Sequence, residues 1–110
     1  MGDDKLERTI ARLRAEYAAH LPLAVAEIEA QWRQLLAGEM PWSRLGELVH
    51  KAHSIAGAGK TFGFADASRL ARELELLLEP HAQAGQVLDA QAQQAVANML
   101  VELGRAAIQT

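Results

Sequence analysis

The sequence predicts an all-α protein, an up-and-down four-helix bundle with an additional N-terminal helix. Half of the 110 residues are hydrophobic and only three are proline, and the abundant Ala, Leu, Glu, Gln and Arg are strong helix formers. Apolar residues recur every three or four positions along most of the chain, which is the period of an amphipathic helix. A chain of this length forms one domain, residues 1–110, with a core that needs no disulfide or metal.

Two helices are expected before residue 40. The first runs from Asp4 to about Ala19, and the second begins near Pro22, because proline disfavours helical geometry at the preceding residue and suits the first turn of a helix. The junction is either a turn or a kink. The first apolar stripe consists of Leu6, Ile10, Leu13 and Tyr17, and the second of Leu21, Val25, Ile28, Trp32 and Leu35.

A third helix is expected from about Pro41 to Phe62. Gly38 precedes it as a C-terminal cap of the second helix, and Pro41 is a residue that opens helices. One face of the third helix is predicted to enter the core. That face consists of Leu45, Leu48, Ala52, Ile55 and Gly59.

Two more helices follow after short turn signals. Asp66 is expected to cap the fourth helix and Asp89 the fifth, and Pro80 either kinks or ends the fourth. Short connections and similar lengths predict an antiparallel hairpin between the third and fourth helices. The fourth stripe consists of Ala67, Leu70, Leu74, Leu77 and His81, and the fifth of Ala92, Val96, Met99, Leu103 and Ala106.

The exposed face of the third helix carries an unusual set of residues. At 100° per residue, His50, Gly57 and Lys60 project within roughly 60° of His53. A glycine inside a helix costs roughly 0.5–1 kcal/mol relative to alanine, so Gly57 and Gly59 each need a reason. Gly59 faces the core, where it would let a neighbouring helix come close. Gly57 lies one turn beyond His53, where a missing side chain would let another molecule approach the imidazole.

Several functional classes are disfavoured by composition. The chain has no cysteine and a net charge of −3, without the basic stripe or aromatic platform of a nucleic-acid-binding protein. No apolar run reaches the roughly 18–20 residues of a membrane span, so we expect a soluble, cytoplasmic protein. The segment from Gly57 to Thr61 is similar to the end of a phosphate-binding loop, but the preceding strand and the full glycine spacing are missing.

A metal site is also disfavoured. His50 and His53 could meet Glu47 or Glu75, but histidines spaced i, i+3 without further ligands are a weak metal signature. We therefore expect no metal and no cofactor of the protein's own.

The segment from His53 to Phe64, HSIAGAGKTFGF, resembles the phosphorylation site of histidine-containing phosphotransfer (HPt) domains. Its Thr-Phe-Gly-Phe ending is most similar to the HPt domain of chemotaxis histidine kinases. The Leu74-Glu75 pair resembles the Leu-Glu pair that these domains carry on the following helix. The motif covers about a dozen residues, and helix number, length and order agree over the rest of the chain.

This resemblance implies a role for each matching residue. His53 would be the phosphoacceptor, Glu75 would orient its imidazole, and Gly57 would leave room for the phosphoryl group. His50, Ala56 and Phe64 would border the docking surface. The implied partners are receiver domains of response regulators and a histidine kinase, which would supply the Mg²⁺, and the domain would act as a monomeric phosphocarrier rather than an autonomous enzyme.

One position departs from the family pattern. Many HPt domains have a lysine three residues after the histidine, where this chain has Ala56. Lys60, two turns along the same face, and Arg72, three residues before Glu75, are the candidate replacements for that cation. The missing lysine leaves open an adaptor or inhibitor that docks on a receiver or kinase without transfer. A third alternative is a domain excised from a larger kinase, against which the complete-looking amino terminus argues mildly.

Overall fold

The computed structural model describes residues 2–108, which form four α-helices and one short 3₁₀ turn. The predicted all-α bundle is confirmed, and the described residues contain no β-strand. The most extensive pairing is the antiparallel hairpin that was predicted between the third and fourth helices. In the structure these are the second and third α-helices, because the first two predicted helices are one. The helices are α1 (Gly2–Leu36), α2 (Leu45–Phe62), α3 (Ala65–Ala84) and α4 (Ala90–Ala107), with the 3₁₀ turn at Trp42–Arg44.

The additional N-terminal helix is not a separate element. Residues 4–19 and the predicted second helix form one continuous helix, α1, of 35 residues, with Pro22 inside it. The chain therefore makes no turn at residues 20–22, and the prediction that a separate second helix begins there was wrong. Tyr17, just before the junction, and Leu21, within it, pack on the core. These tertiary contacts keep the chain helical although Pro22 cannot donate a backbone hydrogen bond. The additional helix is the extended first half of α1.

The connection between α1 and α2 follows the sequence signals with one shift. Gly38 adopts a left-handed conformation with φ of +75°, as a glycine that ends a helix does. Pro41 precedes the 3₁₀ turn rather than the α-helix. As a result α2 begins at Leu45, four residues later than predicted, and ends at Phe62 as predicted.

The turn into α3 needs no side-chain cap. Gly63 is left-handed, with φ of +86°, and the Phe64 amide donates to the Gly59 carbonyl over 2.8 Å. The chain thus re-enters a helix at Ala65 with Phe64 at the N-cap position. The prediction that Asp66 caps this helix was wrong, because Asp66 already lies in the first turn.

Pro80 does not end the helix that contains it, whereas the predicted cap at Asp89 is confirmed. Helix α3 continues through Pro80 and ends before Gly85, which is left-handed with φ of +64°. Asp89 caps α4 as predicted, since its carboxylate accepts a hydrogen bond of 2.8 Å from the Ala92 amide.

The core lies between the four helices, and all five predicted core residues of α2 are buried. On α3, Leu77 and His81 are only partly buried, whereas Ala71 and Leu78 are buried. Glu75 also lies on the buried face of α3, and it is the only charged residue that is buried among those the structure describes. Across residues 2–108, no helix combines the length and apolar character that a bilayer crossing requires.

Candidate functional site

The exposed imidazole of His53 is the centre of the candidate site. Helix α2 buries the face that begins with Leu45 and Leu48, so the helical period turns His53 outward beside α3. The His53 side chain is 65% exposed. Its Nδ1 atom lies 2.7 Å from the Oε2 atom of Glu75 on α3, so the imidazole is bonded directly to the neighbouring helix.

Glu75 is held from two sides in a nearly buried position. Only 8% of its side chain is exposed, and its Oε1 atom accepts a hydrogen bond of 2.8 Å from Nη1 of Arg72. Burial raises the pKa of the Glu75 carboxyl, but the hydrogen bonds from Arg72 and His53 and their charges outweigh burial, so the net pKa lies below its usual value. The group that faces His53 is therefore a carboxylate at neutral pH.

The carboxylate fixes the tautomer of the imidazole. A carboxylate accepts hydrogen bonds only, so Nδ1 of His53 carries the proton and donates it toward Glu75. In the neutral ring the lone pair is then on Nε2, which the contact with Glu75 leaves free. The arrangement presents a nucleophilic nitrogen at the protein surface with a fixed direction of approach.

The two neighbouring glycines of α2 have different surroundings. A Cβ atom on Gly59 would lie 3.2 Å from Cβ of Ser68 and 3.3 Å from the Phe64 carbonyl oxygen, so the expectation that Gly59 allows close helix packing is confirmed. A Cβ atom on Gly57 would meet nothing within 4 Å. Packing within this chain therefore does not require a glycine at Gly57.

Ser68 ties α3 to α2 next to the imidazole. Its hydroxyl donates a hydrogen bond of 2.6 Å to the carbonyl of Ala56. The sequence analysis did not identify Ser68. Its short polar side chain near the start of α3, the helix that packs on Gly59, could have indicated a hydrogen bond to α2. This hydrogen bond joins α3 to α2 three residues after His53, so it helps to fix the position of Glu75 relative to the imidazole.

Both candidate cations line the same shallow cleft, which has a volume of about 300 Å³. Arg72 is bonded to Glu75, a contact that its i, i+3 spacing could have suggested. Lys60 is exposed and forms no hydrogen bond or ion pair within the described part of the chain. The residues lining the cleft are His53, Ala56, Gly57, Lys60, Ser68, Arg72 and Glu75.

Two predicted docking residues lie outside this cleft. His50 is exposed one turn before His53 on α2, so it borders the surface without lining the cleft. Phe64 is only 8% exposed and belongs to the core, where its ring is 5.6 Å from that of Tyr17. Phe64 therefore offers little surface to a partner. Within residues 2–108, no group of three or more His, Asp or Glu side chains is placed to hold a metal ion.

The protein is thus an α-helical bundle that exposes one imidazole nitrogen of His53 at its surface and bonds the other to a buried carboxylate. The family model of the Hpt domain matches residues 10–106, most of the chain, and the chain belongs to this family. Hpt domains act in histidine phosphotransfer within phosphorelays and interact with kinase and receiver domains. Comparisons with curated proteins and with solved structures give no significant match.

Proposed function

We propose that this protein carries a phosphoryl group on Nε2 of His53 between a kinase or receiver domain and the aspartate of a response regulator. The observation that supports the proposal best is the pairing of an exposed imidazole with a buried carboxylate, 2.7 Å apart. A histidine that is merely solvated needs no such partner. The pairing is the arrangement expected of a nucleophile that must be oriented.

The transfer step places a requirement on each atom of the pair. The Nε2 lone pair forms the bond to phosphorus while the bond from phosphorus to the aspartyl oxygen breaks, and its electron pair leaves with the aspartate. The ring keeps its proton on Nδ1 and gains positive charge. The Glu75 carboxylate, bonded to that N–H, offsets the charge as it develops. The reverse transfer follows the same path.

Phosphoryl transfer depends mostly on positioning and charge neutralisation. The space above Gly57 gives a receiver domain access to His53. Lys60 and Arg72 line the cleft and are our candidates for the cation that Ala56 cannot supply. We propose that the Mg²⁺ for the reaction is bound by the partner domain.

The adaptor hypothesis differs from this proposal in one respect, that the protein docks on a receiver or kinase without accepting a phosphoryl group. It is favoured by Ala56, which has no charge to offer a phosphoryl group. Two cationic side chains in the same cleft weaken that argument, because the missing charge has other sources. Phosphotransfer is therefore our preferred function.

The decisive experiment is incubation with a receiver domain phosphorylated on its aspartate, with Mg²⁺ present. The wild-type protein should gain a label that is stable to alkali and labile to acid, and His53→Gln should gain none. His50→Gln is the matched control, an exposed histidine one turn away, and should keep the label. Labelling of His53→Gln would overturn the proposal, and a stable complex with a receiver but no transfer would support the adaptor instead.

A further inference from the structure

Helix α1 extends well beyond the bundle. It has 35 residues, whereas α2 and α4 have 18 each, and at about 1.5 Å per residue it is roughly 50 Å long. This agrees with the longest dimension of the molecule, 55 Å against 23 and 21 Å for the other two. Among the described residues, no hydrophobic side chain before Tyr17 packs on the core, although the Arg14 side chain lies over the Phe64 ring. The first three to four turns of α1, which we call the α1 extension (residues 3–14), are therefore uncovered.

The α1 extension carries an apolar seam that no other element within residues 2–108 covers. Leu6, Ile10 and Leu13 are 59%, 52% and 39% exposed. With Tyr17 they are spaced by four, three and four residues, the a and d spacing of two helices that pack along each other. A helix of about 12 residues is marginal in water by itself. Packing of this seam on a partner would therefore stabilise the helical structure of the α1 extension.

The seam leads directly into a groove of the bundle. Tyr17 and Ala24 of α1 line this groove together with Ile55 and Ala58 of α2. Tyr17 thus connects the seam to this groove, whose lining also includes polar and charged residues of both helices, His20, Glu27, Lys51 and Ser54. A helix that packed on the seam would also cover the entrance of the groove.

The charges beside the seam select the partner and its direction. Glu7 and Arg14 directly follow Leu6 and Leu13, so both occupy the same edge of the seam. When a second copy packs antiparallel, with Ile10 of each copy against Leu13 of the other, Glu7 of each copy faces Arg14 of the other. A parallel pair makes neither contact and aligns the two helix dipoles unfavourably.

We propose that two copies of this chain associate through antiparallel packing of their α1 extensions. Because the contact is confined to short helices, it buries less surface than the roughly 1,000 Å² of a stable interface. We therefore expect a weak and reversible dimer. Arg14 lies at the base of the extension, where its Cζ atom is 5.5 Å from the centre of the Phe64 ring, and it forms no ion pair among the described residues. This replaces the monomer expected from the sequence and does not depend on the function proposed for His53.

Sedimentation equilibrium over about 10 μM to 1 mM tests the proposal. The wild-type mass should rise toward that of a dimer with concentration, and Ile10→Lys should raise the dimer dissociation constant at least about tenfold. Val101→Lys is the matched control, because Val101 on α4 is 54% exposed, like Ile10 at 52%, and should change that constant less than about twofold. A wild-type protein that stays monomeric throughout, or equal effects of the two variants, would overturn it.

Two further measurements test the antiparallel direction. Glu7→Lys should weaken the dimer, whereas Glu102→Lys, the same charge change on α4, should not. Because the chain has no cysteine, Asp3→Cys gives a single site for a spin label. Antiparallel packing predicts about 25–30 Å between the two labels, and parallel packing about 10 Å. The shorter distance, or equal effects of the two lysine variants, would contradict the antiparallel arrangement.

Discussion

His53 and Glu75 meet across the α2 and α3 interface with 2.7 Å between Nδ1 and Oε2, although 22 residues separate them in the chain. The imidazole is 65% exposed and the carboxylate side chain 8%. The buried partner is also bonded to Arg72, so it is the fixed member of the pair and the imidazole is the oriented one. The direction of the free nitrogen is therefore a property of the helix pair and not of α2 alone.

Replacing this carboxylate should slow phosphotransfer without unfolding the protein. Glu75→Gln keeps the shape of the side chain but removes the charge that offsets the developing imidazolium. A hydrogen bond to a charged group contributes about 1.5–3 kcal/mol, so we expect transfer to slow by about 10- to 100-fold. Rapid-quench measurement of label transfer from a phosphorylated receiver gives the rate. Glu73→Gln, an exposed carboxylate on the same helix, is the control, and an unchanged rate for Glu75→Gln would refute an orienting role.

The two glycines of α2 should respond in opposite ways to alanine. Gly57→Ala should stabilise the fold by about 0.5–1 kcal/mol while slowing transfer, because the new methyl group occupies the partner's approach to His53. Gly59→Ala should destabilise it by about 1 kcal/mol or more, because its Cβ would crowd Ser68 and the Phe64 backbone. Urea unfolding and transfer rates together measure both effects.

Gly46→Ala provides the control for this pair. Gly46 lies in the first turn of α2, and a Cβ atom there meets nothing within 4 Å. This variant should gain stability and keep the wild-type transfer rate. A Gly57→Ala protein that transfers as fast as Gly46→Ala would show that the space above Gly57 is not used.

The lowered pKa of Glu75 predicts a defined loss of stability in acid. Because the folded pKa lies below the unfolded one, the stability that it contributes is complete above the unfolded value, about 4.3, and is lost as the pH falls through the folded value. Glu75→Gln should remove this part of the pH dependence. Urea unfolding between pH 6 and about 3 measures it, with the exposed Glu102→Gln as control. Equal pH slopes for wild type and Glu75→Gln would contradict the prediction.

The features that the sequence could predict are those set by one helix at a time. The buried and exposed faces of α2 follow from its period alone, and this places His53 and Gly57 at the surface. The predicted division into two helices at Pro22 was wrong because packing at Tyr17 and Leu21 overrides the local proline signal.

The contact of His53 with Glu75 could not be derived from spacing. It depends on how far α3 slides along α2, and close packing at Gly59 and the Ser68 hydrogen bond set that register. Only the resemblance to Hpt domains identified Glu75 before the structure did. The cap at Asp66 failed for a related reason, since the turn at Gly63 decides where α3 begins.

The contributions of Lys60 and Arg72 to phosphotransfer should be distinguishable, because only Arg72 is bonded to Glu75. Lys60 is exposed on α2, so Lys60→Ala should slow transfer several-fold and change stability by less than about 0.5 kcal/mol. Arg72→Ala also removes a hydrogen bond from a buried carboxylate, so it should slow transfer and cost about 1–3 kcal/mol of stability.

A double-mutant cycle then distinguishes the two ways in which Arg72 can act. If Arg72 works only by holding Glu75, Arg72→Ala should have no further effect on the transfer rate in a Glu75→Gln background. If its guanidinium also contacts the phosphoryl group, the rate should fall again in that background. Lys60→Ala is the internal control and should slow transfer by the same factor with or without Glu75→Gln. Because Arg72 Nη1 lies 2.8 Å from Glu75 Oε1 and Arg72 still lines the cleft beside His53, we expect the second result, with Arg72 supplying charge as well as support.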